Sequence, residues 1–256
     1  MNYKKHNQVR NHYLSKVEYD VTPSDYQRLE DRIQLIEQLT EVQNTSVVVY
    51  DFYKQDYLFR NIRFSDHLGH DKELADELGL SYFSSLIHPD DYPVILDTHI
   101  KAFTFLHELP PEEKKDYKLI YTFRSKGKDG NYYVLVDQIA IMELDRSGNI
   151  WLILGITDMM PTQYKIDTPE RQLLNMKNKM LYMFNENDQY EGKPVLSARE
   201  IEVLGLVSKG YASKSIAQQL CISINTVNNH RQKILEKTNT ANTAEAVALA
   251  RNLGFV

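Results

Sequence analysis

The segment Ser213–Lys237 carries the tightest constraint in the chain: two amphipathic helical patterns with only Cys221-Ile222-Ser223 between them. In SKSIAQQL, the residues Ile216, Ala217 and Leu220 fall on one face. In INTVNNHRQKILEK, Val227, Ile234 and Leu235 do the same. So short a break holds the second helix across the first, the spacing of a helix-turn-helix. One polar face of the second helix is then turned outward, where a DNA major groove can receive it. Flanking signals extend the pattern. Ser197 and Glu200 have capping-box spacing ahead of Ile201, Leu204 and Val207, and Gly210 fits a helix stop. Ser223 suits the cap of the third helix. Asn242 with Glu245 opens a fourth, with Val247, Ala250 and Leu253 facing inward.

That segment fills less than a quarter of 256 residues, so a second body is expected in front of it. The net charge of −5 argues against a nucleic-acid partner until it is divided. Residues from Lys193 onward carry +4 and the remainder −9, the asymmetry of an acidic sensor joined to a basic reader. No apolar run is long enough to span a bilayer, and the basic N-terminus lacks the apolar core of a signal peptide. Cys221 is the sole cysteine, which rules out an intrachain disulfide. The expected location is the cytoplasm, with no membrane partner.

The first twenty or so residues are polar and aperiodic and are expected to be partly disordered or laid on the surface. Ser24, with Gln27 three residues on and Pro23 before it, then reads as a helix start. Tyr26, Leu29, Ile33, Ile36 and Leu39 follow as one stripe, suited to packing on the next domain or to pairing with a second copy.

Residues 46–159 read as α+β. SVVVYDF and Tyr57–Ile62 form a strand pair, short helices follow, and strand signals return in KLIYTFRS, NYYVLVDQIAIMEL and IWLILGIT. Asp129-Gly130 between the first two suits a type I′ turn. This succession resembles the PAS domain family. The matching phrases are Phe64-Ser65 through Leu68-Gly69, Ile87-His88-Pro89-Asp90-Asp91, Lys128-Asp129-Gly130, and Asp145 to Asn149 followed by Gly155 and Asp158. The resemblance implies a small ligand or cofactor held between sheet and helices, or a dimerisation role. The segment has no cysteine for a covalent flavin adduct. Its histidines (His67, His70, His88, His99, His107) read as surface or capping groups before haem or metal ligands, and Asp90 and Asp91 as helix-start residues before an acid–base pair. No cofactor is assigned; an unknown small organic ligand is the candidate, in a pocket of Phe83, Phe103, Tyr121, Phe123, Val136, Ile139 and Leu152, which would equally suit a filled core.

Residues 160–195 read as a linker. Thr168-Pro169 opens a helix whose Leu173, Met176, Met180 and Met183 form a short apolar stripe, before the polar run NENDQYEGKP.

The C-terminal segment resembles the LuxR-type helix-turn-helix family through Leu196, Arg199-Glu200, Glu202-Val203-Leu204, Gly210, Lys214, Ile216-Ala217, Leu220, Ile222-Ser223, Thr226-Val227, His230-Arg231, Ile234, Lys237 and Glu245-Ala246. The resemblance implies a four-helix domain that binds DNA as a dimer through its third helix. Two departures stand out. Ala212 replaces the usual small polar cap, a role Ser213 is expected to take, and Asn228-Asn229 stands where a lysine is common. Asn228, Asn229 and Gln232 are therefore the expected base readers, since amides suit adenine. Lys214, Thr226, Arg231, Lys233 and Lys237 are the expected phosphate contacts, and His230 a packed or phosphate-bonded residue.

The fold class expected is multidomain: an α+β PAS-like sensor, an antiparallel sheet with helices on one face, followed by an all-α four-helix LuxR-type domain at 196–256. The expected partners are double-stranded DNA, a second copy of the chain and the transcription machinery. The chain has no phosphate-cradling glycine loop, nucleophile elbow or zinc-protease helix, so catalysis is not expected. The expected role is a ligand-responsive transcription regulator; the alternative is an adaptor whose PAS-like domain binds only another protein.

Overall fold

The computed structural model describes residues 17–42, 45–178, 180–183, 192–194, 196–238, 240 and 242–252. The expectations for residues 1–16, for the run 184–191, for Leu253 and for the side chain of Met183 lie outside the described residues. The chain divides into two compact units, with the division between Leu173 and Leu174.

In the first unit, β1 (Ser46–Asp51) and β2 (Asp56–Asn61) pair antiparallel. Helices α3 (Phe64–Leu68), α4 (Lys72–Leu78), α5 (Leu80–Leu86), α6 (Asp91–Glu108) and α7 (Pro111–Lys114) follow. Then come β3 (Tyr117–Lys126), β4 (Tyr132–Leu144) and β5 (Ile150–Met159). The strands order β2-β1-β5-β4-β3, with every pair antiparallel. This is the PAS-like arrangement of two strands, helices, then three strands.

Register decides which residues can meet. Tyr121 lies opposite Asp137, and Asp137 opposite Thr157, so these three share a face with Ile139 and Ile153. That face carries α6. Val136 lies opposite Thr122 and Asp158, on the other face with Val49, Leu152 and Leu154. The second face is covered too. Helices α1 (Pro23–Gln27) and α2 (Glu30–Val42) bring Leu29, with Tyr26, Ile33 and Ile36, onto Val49, Trp151 and Leu152. The sheet therefore has helices on both faces where one was expected, because the N-terminal stripe found an apolar surface to bury. Leu39, expected in that stripe, is exposed.

The cap of α1 is Thr22, two residues before the expected Ser24: Pro23 takes the first helical position, and Asp25 accepts from the Thr22 backbone N–H at 2.8 Å. The β3–β4 connection is also not type I′. That turn needs positive φ at both central residues, and only Gly130 has it (φ 84). Asp129 instead bonds forward to the Asn131 backbone and the Tyr133 hydroxyl, which holds a longer loop closed by Gly127 N–H to Asn131 O.

Helix α6 is tied to β3 by an ion pair. Asp91, fully buried, accepts from the Arg124 backbone N–H at 2.7 Å and from its guanidinium, which raises the guanidinium pKa; His88 N–H donates to Arg124 O. Asp91 is thus a buried anchor at the first residue of the helix, and Asp90 is its N-cap.

The helix expected from Thr168 is absent. Residues Arg171–Asn175 form β6, lying beside β3, and Met180–Met183 form β7. The exposed edge of β3 outcompetes a short isolated helix. Thr122 N–H donates to Glu170 O, Glu170 N–H to Thr122 Oγ1, and Arg171 pairs with Asp97 at 2.6 Å. Asn175 then accepts from the Lys177 and Asn178 N–H groups, a turn that defeats the helical reading of the methionine spacing.

In the second unit, β7 pairs antiparallel with β8 (Gly192–Pro194) ahead of four helices. These are α8 (Ala198–Ser208), α9 (Ser213–Gln219), α10 (Ile224–Thr238) and α11 (Thr243–Asn252). Val203, Leu204, Ile216, Ala217, Val227, Ile234, Ala246 and Ala250 form their core. Both turns are Schellman-type. After α8, Gly210 (φ 85) holds the left-handed position, with Gly210 N–H to Val207 O and Tyr211 N–H to Leu206 O. After α9 the same position falls on Cys221 (φ 52), with Ile222 N–H to Ala217 O.

Candidate functional site

Helix α10 presents two chemically opposite sides. Val227 and Ile234 are buried, while Asn225, Asn228, Asn229, Gln232 and Lys233 are exposed. Ser223 caps the helix by accepting the Thr226 N–H at 3.0 Å, and its hydroxyl lies 2.8 Å from Thr226 Oγ1. Gln232 reaches Glu236 at 3.3 Å. Asn225, which the sequence reading passed over, lies one turn before Asn228 and Asn229 on the same exposed side; its i, i+3, i+4 spacing was the available signal.

The cations divide into two groups. Lys237, expected at a phosphate, donates to Glu200 at 2.8 Å; Glu200 also accepts the Ser197 N–H at 2.6 Å. Burial alone would raise the Glu200 carboxyl, but Lys237 and the Ser197 bonds hold it below the ordinary range. Arg231, also expected at a phosphate, donates to Ser213 Oγ at 3.1 Å and Thr243 Oγ1 at 3.2 Å, joining α9, α10 and α11. Ser213 therefore does not cap α9; the N-cap is Ala212, with no side-chain bond. Arg199 donates to Leu220 O at 2.6 Å and Arg251 to Ser208 O at 3.2 Å, closing the carbonyl ends of α9 and α8. These side chains brace the helices. Lys209, Lys214 and Lys233 are exposed and carry no ion pair among the described residues. His230 is half-buried.

The sensor interior has its own polar core. On the α6 face, Tyr121 donates to Asp137 at 2.6 Å, Thr157 donates to the other carboxylate oxygen at 2.9 Å, and His99 Nε2 lies 3.0 Å from the Tyr121 hydroxyl. Burial pushes the Asp137 carboxyl up against the hydrogen bonds that lower it, and pushes the Tyr121 hydroxyl up as well. Phe103 stacks edge-on with His99 and Phe52, and Phe123 neighbours Tyr121. Of the candidate pocket, Phe103, Tyr121, Phe123 and Ile139 thus come together. Phe83 joins a separate cluster with Phe64 and Tyr82. Val136 and Leu152 lie on the opposite face of the sheet. Asp137 was missed; an acid at an inward position of the apolar strand NYYVLVDQIAIMEL was its signal. His70 Nε2 donates to Lys126 O, 2.9 Å away, and burial lowers its pKa. Among the described residues, no three His, Cys, Asp or Glu side chains converge as metal ligands, and no helix is long and apolar enough to cross a membrane.

Four short helices, a tight turn and an outward amide face define a helix-turn-helix DNA-binding domain. Residues 194–250 match the family of bacterial regulatory proteins, luxR family, and the C-terminal domain is of that LuxR type. Among curated relatives, the oxygen regulatory protein NreC of Staphylococcus carnosus is 43% identical over 56 residues, covering 22% of this chain and 26% of that protein. The transcriptional regulatory protein DesR of Bacillus subtilis is 37% identical over 95 residues, covering 35% of this chain and 48% of that protein. The chain thus spans between a quarter and a half of the length of these two relatives. Among solved structures, the Vibrio cholerae VqmA dimer is 16% identical with a TM-score of 0.33, covering 87% of this chain and 88% of that one. The PAS domain of an HTR-like protein from Haloarcula marismortui is 19% identical with a TM-score of 0.34, covering 54% of this chain and 100% of that one.

Proposed function

We propose that the protein is a sequence-specific, DNA-binding transcription regulator working in the cytoplasm. Its first unit receives a small ligand or a partner, and two copies of its second unit read DNA. The observation that carries this reading is the outward side of α10. Asn228 and Asn229 have no hydrogen-bond partner among the described residues, on a helix whose other side is fixed by Arg231, Lys237 and buried valine and isoleucine. Among the described residues nothing consumes these amides, and amides at that place suit adenine edges. Asn228, Asn229 and Gln232 read bases. Lys214, Thr226 and Lys233 contact phosphates, which set orientation without specifying sequence. Arg231 and Lys237 act one step back, by holding α10 in position.

Fluorescence anisotropy of the full chain on labelled duplexes tests the reading. Asn228→Ala weakens discrimination between target and scrambled duplex by about 1–3 kcal/mol. Lys233→Ala weakens binding to every duplex and lowers the salt slope by about one. Discrimination that survives Asn228→Ala intact refutes the base-reading assignment. Two copies on one duplex favour inverted half-sites roughly one helical turn apart, and binding as a monomer at working concentration refutes the dimer. Native mass spectrometry and an absorbance spectrum of the purified protein decide between a retained small molecule and a core filled by its own side chains.

A further inference from the structure

We infer that the DNA half-site this protein recognises is specified at A·T base pairs, and that Ile224 and Asn225 contribute to that choice. The inference rests on the DNA-binding reading above and sharpens which DNA is bound. Guanine is most often read by an arginine fork on O6 and N7. Each arginine among the described residues of the second unit is engaged elsewhere: Arg199 on Leu220 O, Arg231 on Ser213 and Thr243, Arg251 on Ser208 O. What the first two turns of α10 turn outward is amide and hydrocarbon, with Lys233 one turn further on. Asn225, Asn228 and Asn229 occupy its first two turns, and Ile224 stands at the first helical position with 45% of its surface exposed. A lone exposed isoleucine is ordinary on a protein surface. This one lies one turn before Asn228, on the helix end that enters the groove deepest in such domains.

An A·T pair offers the major groove two features that match this row. Adenine presents a donor and an acceptor, N6 and N7, to one amide, and thymine presents a methyl to a neighbouring apolar group. Lys233, an exposed cation with no ion pair among the described residues, follows Asn229 by one turn on the flank shared with Thr226, suited to the phosphate chain beside the groove. Glu236, held by Gln232 at 3.3 Å, ends the reading surface, since a carboxylate there is repelled by the phosphates.

The test is selection of duplexes from a random library by the full chain, followed by base-analogue substitution in the selected half-site. The expected result is A·T enrichment at the major-groove positions under α10. Replacing the read thymine by deoxyuridine removes only the methyl and weakens the native chain about fourfold, the worth of one buried methyl group. Ile224→Ser, an exposed substitution, abolishes that difference. Replacing the paired adenine by 7-deazaadenine weakens the native chain at least roughly fivefold, and weakens Asn225→Ala or Asn228→Ala far less. Enrichment of G·C pairs under α10 overturns the inference while leaving DNA binding standing, as does a deoxyuridine scan in which Ile224→Ser changes nothing. A chain that shows no sequence preference at all refutes the DNA-reading function itself and the inference with it.

Discussion

Asp91→Asn tests how the helical layer of the first unit is held to its sheet. Asp91 is fully buried and accepts three kinds of bond from one residue: the Arg124 backbone N–H at 2.7 Å, Nε at 3.0 Å and an Nη. The asparagine has the same shape but one acceptor oxygen, and its amide turns a donor toward a donor. Breaking a buried ion pair from one side costs about 3–5 kcal/mol. The Arg124 side chain is 20% exposed and keeps some hydration, which places the cost near the lower end, about 3 kcal/mol. Trp151, the sole tryptophan, lies in the core of this same unit, so its fluorescence during urea unfolding of the full chain reads the change directly. Pairing Asp91→Ala with Arg124→Met removes both charges but leaves the Arg124 N–H without its acceptor, a residual cost of about 1–3 kcal/mol. The double variant should therefore recover part of the loss. A cost below about 1 kcal/mol for Asp91→Asn, or losses that simply add in the double variant, would refute the anchor.

Four further outcomes follow from the geometry. Because the folded Glu200 carboxyl is held below its unfolded value, it stabilises the second unit above the ordinary glutamate pKa and loses that contribution as pH falls through the folded one; helical circular dichroism followed against pH should show Glu200→Gln with a weaker acid dependence and about 1–2 kcal/mol less stability at neutral pH. Asp137 is the opposite case: its raised pKa means that stability falls as pH climbs from the unfolded value through the folded one, so Asp137→Asn should flatten the neutral-side slope of the Trp151 urea midpoint. Nothing lies within 4 Å of a Cβ added at Gly210, so Gly210→Ala should cost only the left-handed backbone penalty, about 1–2 kcal/mol in chemical unfolding. Cys221→Gly, at the matching position of the next turn, should not destabilise.

Much of this was legible in the sequence, most clearly where local signals and burial agree. Ser197–Glu200, Ser223–Thr226 and Asn242–Glu245 all cap as their spacing suggests, and Val227 and Ile234 are buried as the helical pattern requires. Failure came where tertiary contacts overrule a local pattern. Leu173, Met176 and Met180 fit a helical stripe, yet Leu173 lies in β6 at the edge of β3, Met176 in the turn that follows and Met180 in β7. The pocket residues misjudged, Val136 and Leu152, are apolar members of the right strands; only register tells which face each occupies. Arg231 and Lys237 carry the charge a phosphate needs, and spacing cannot reveal that Ser213, Thr243 and Glu200 stand within reach.

The arginine braces bear on how the protein would respond to its own abundance. A reader whose guanidiniums are committed to its own carbonyls and hydroxyls brings few mobile cations to DNA, so a single copy holds its site weakly. On the proposed paired sites, each copy raises the effective concentration of the other. Site occupancy then climbs with about the second power of protein concentration, and modest changes in copy number are converted into a threshold.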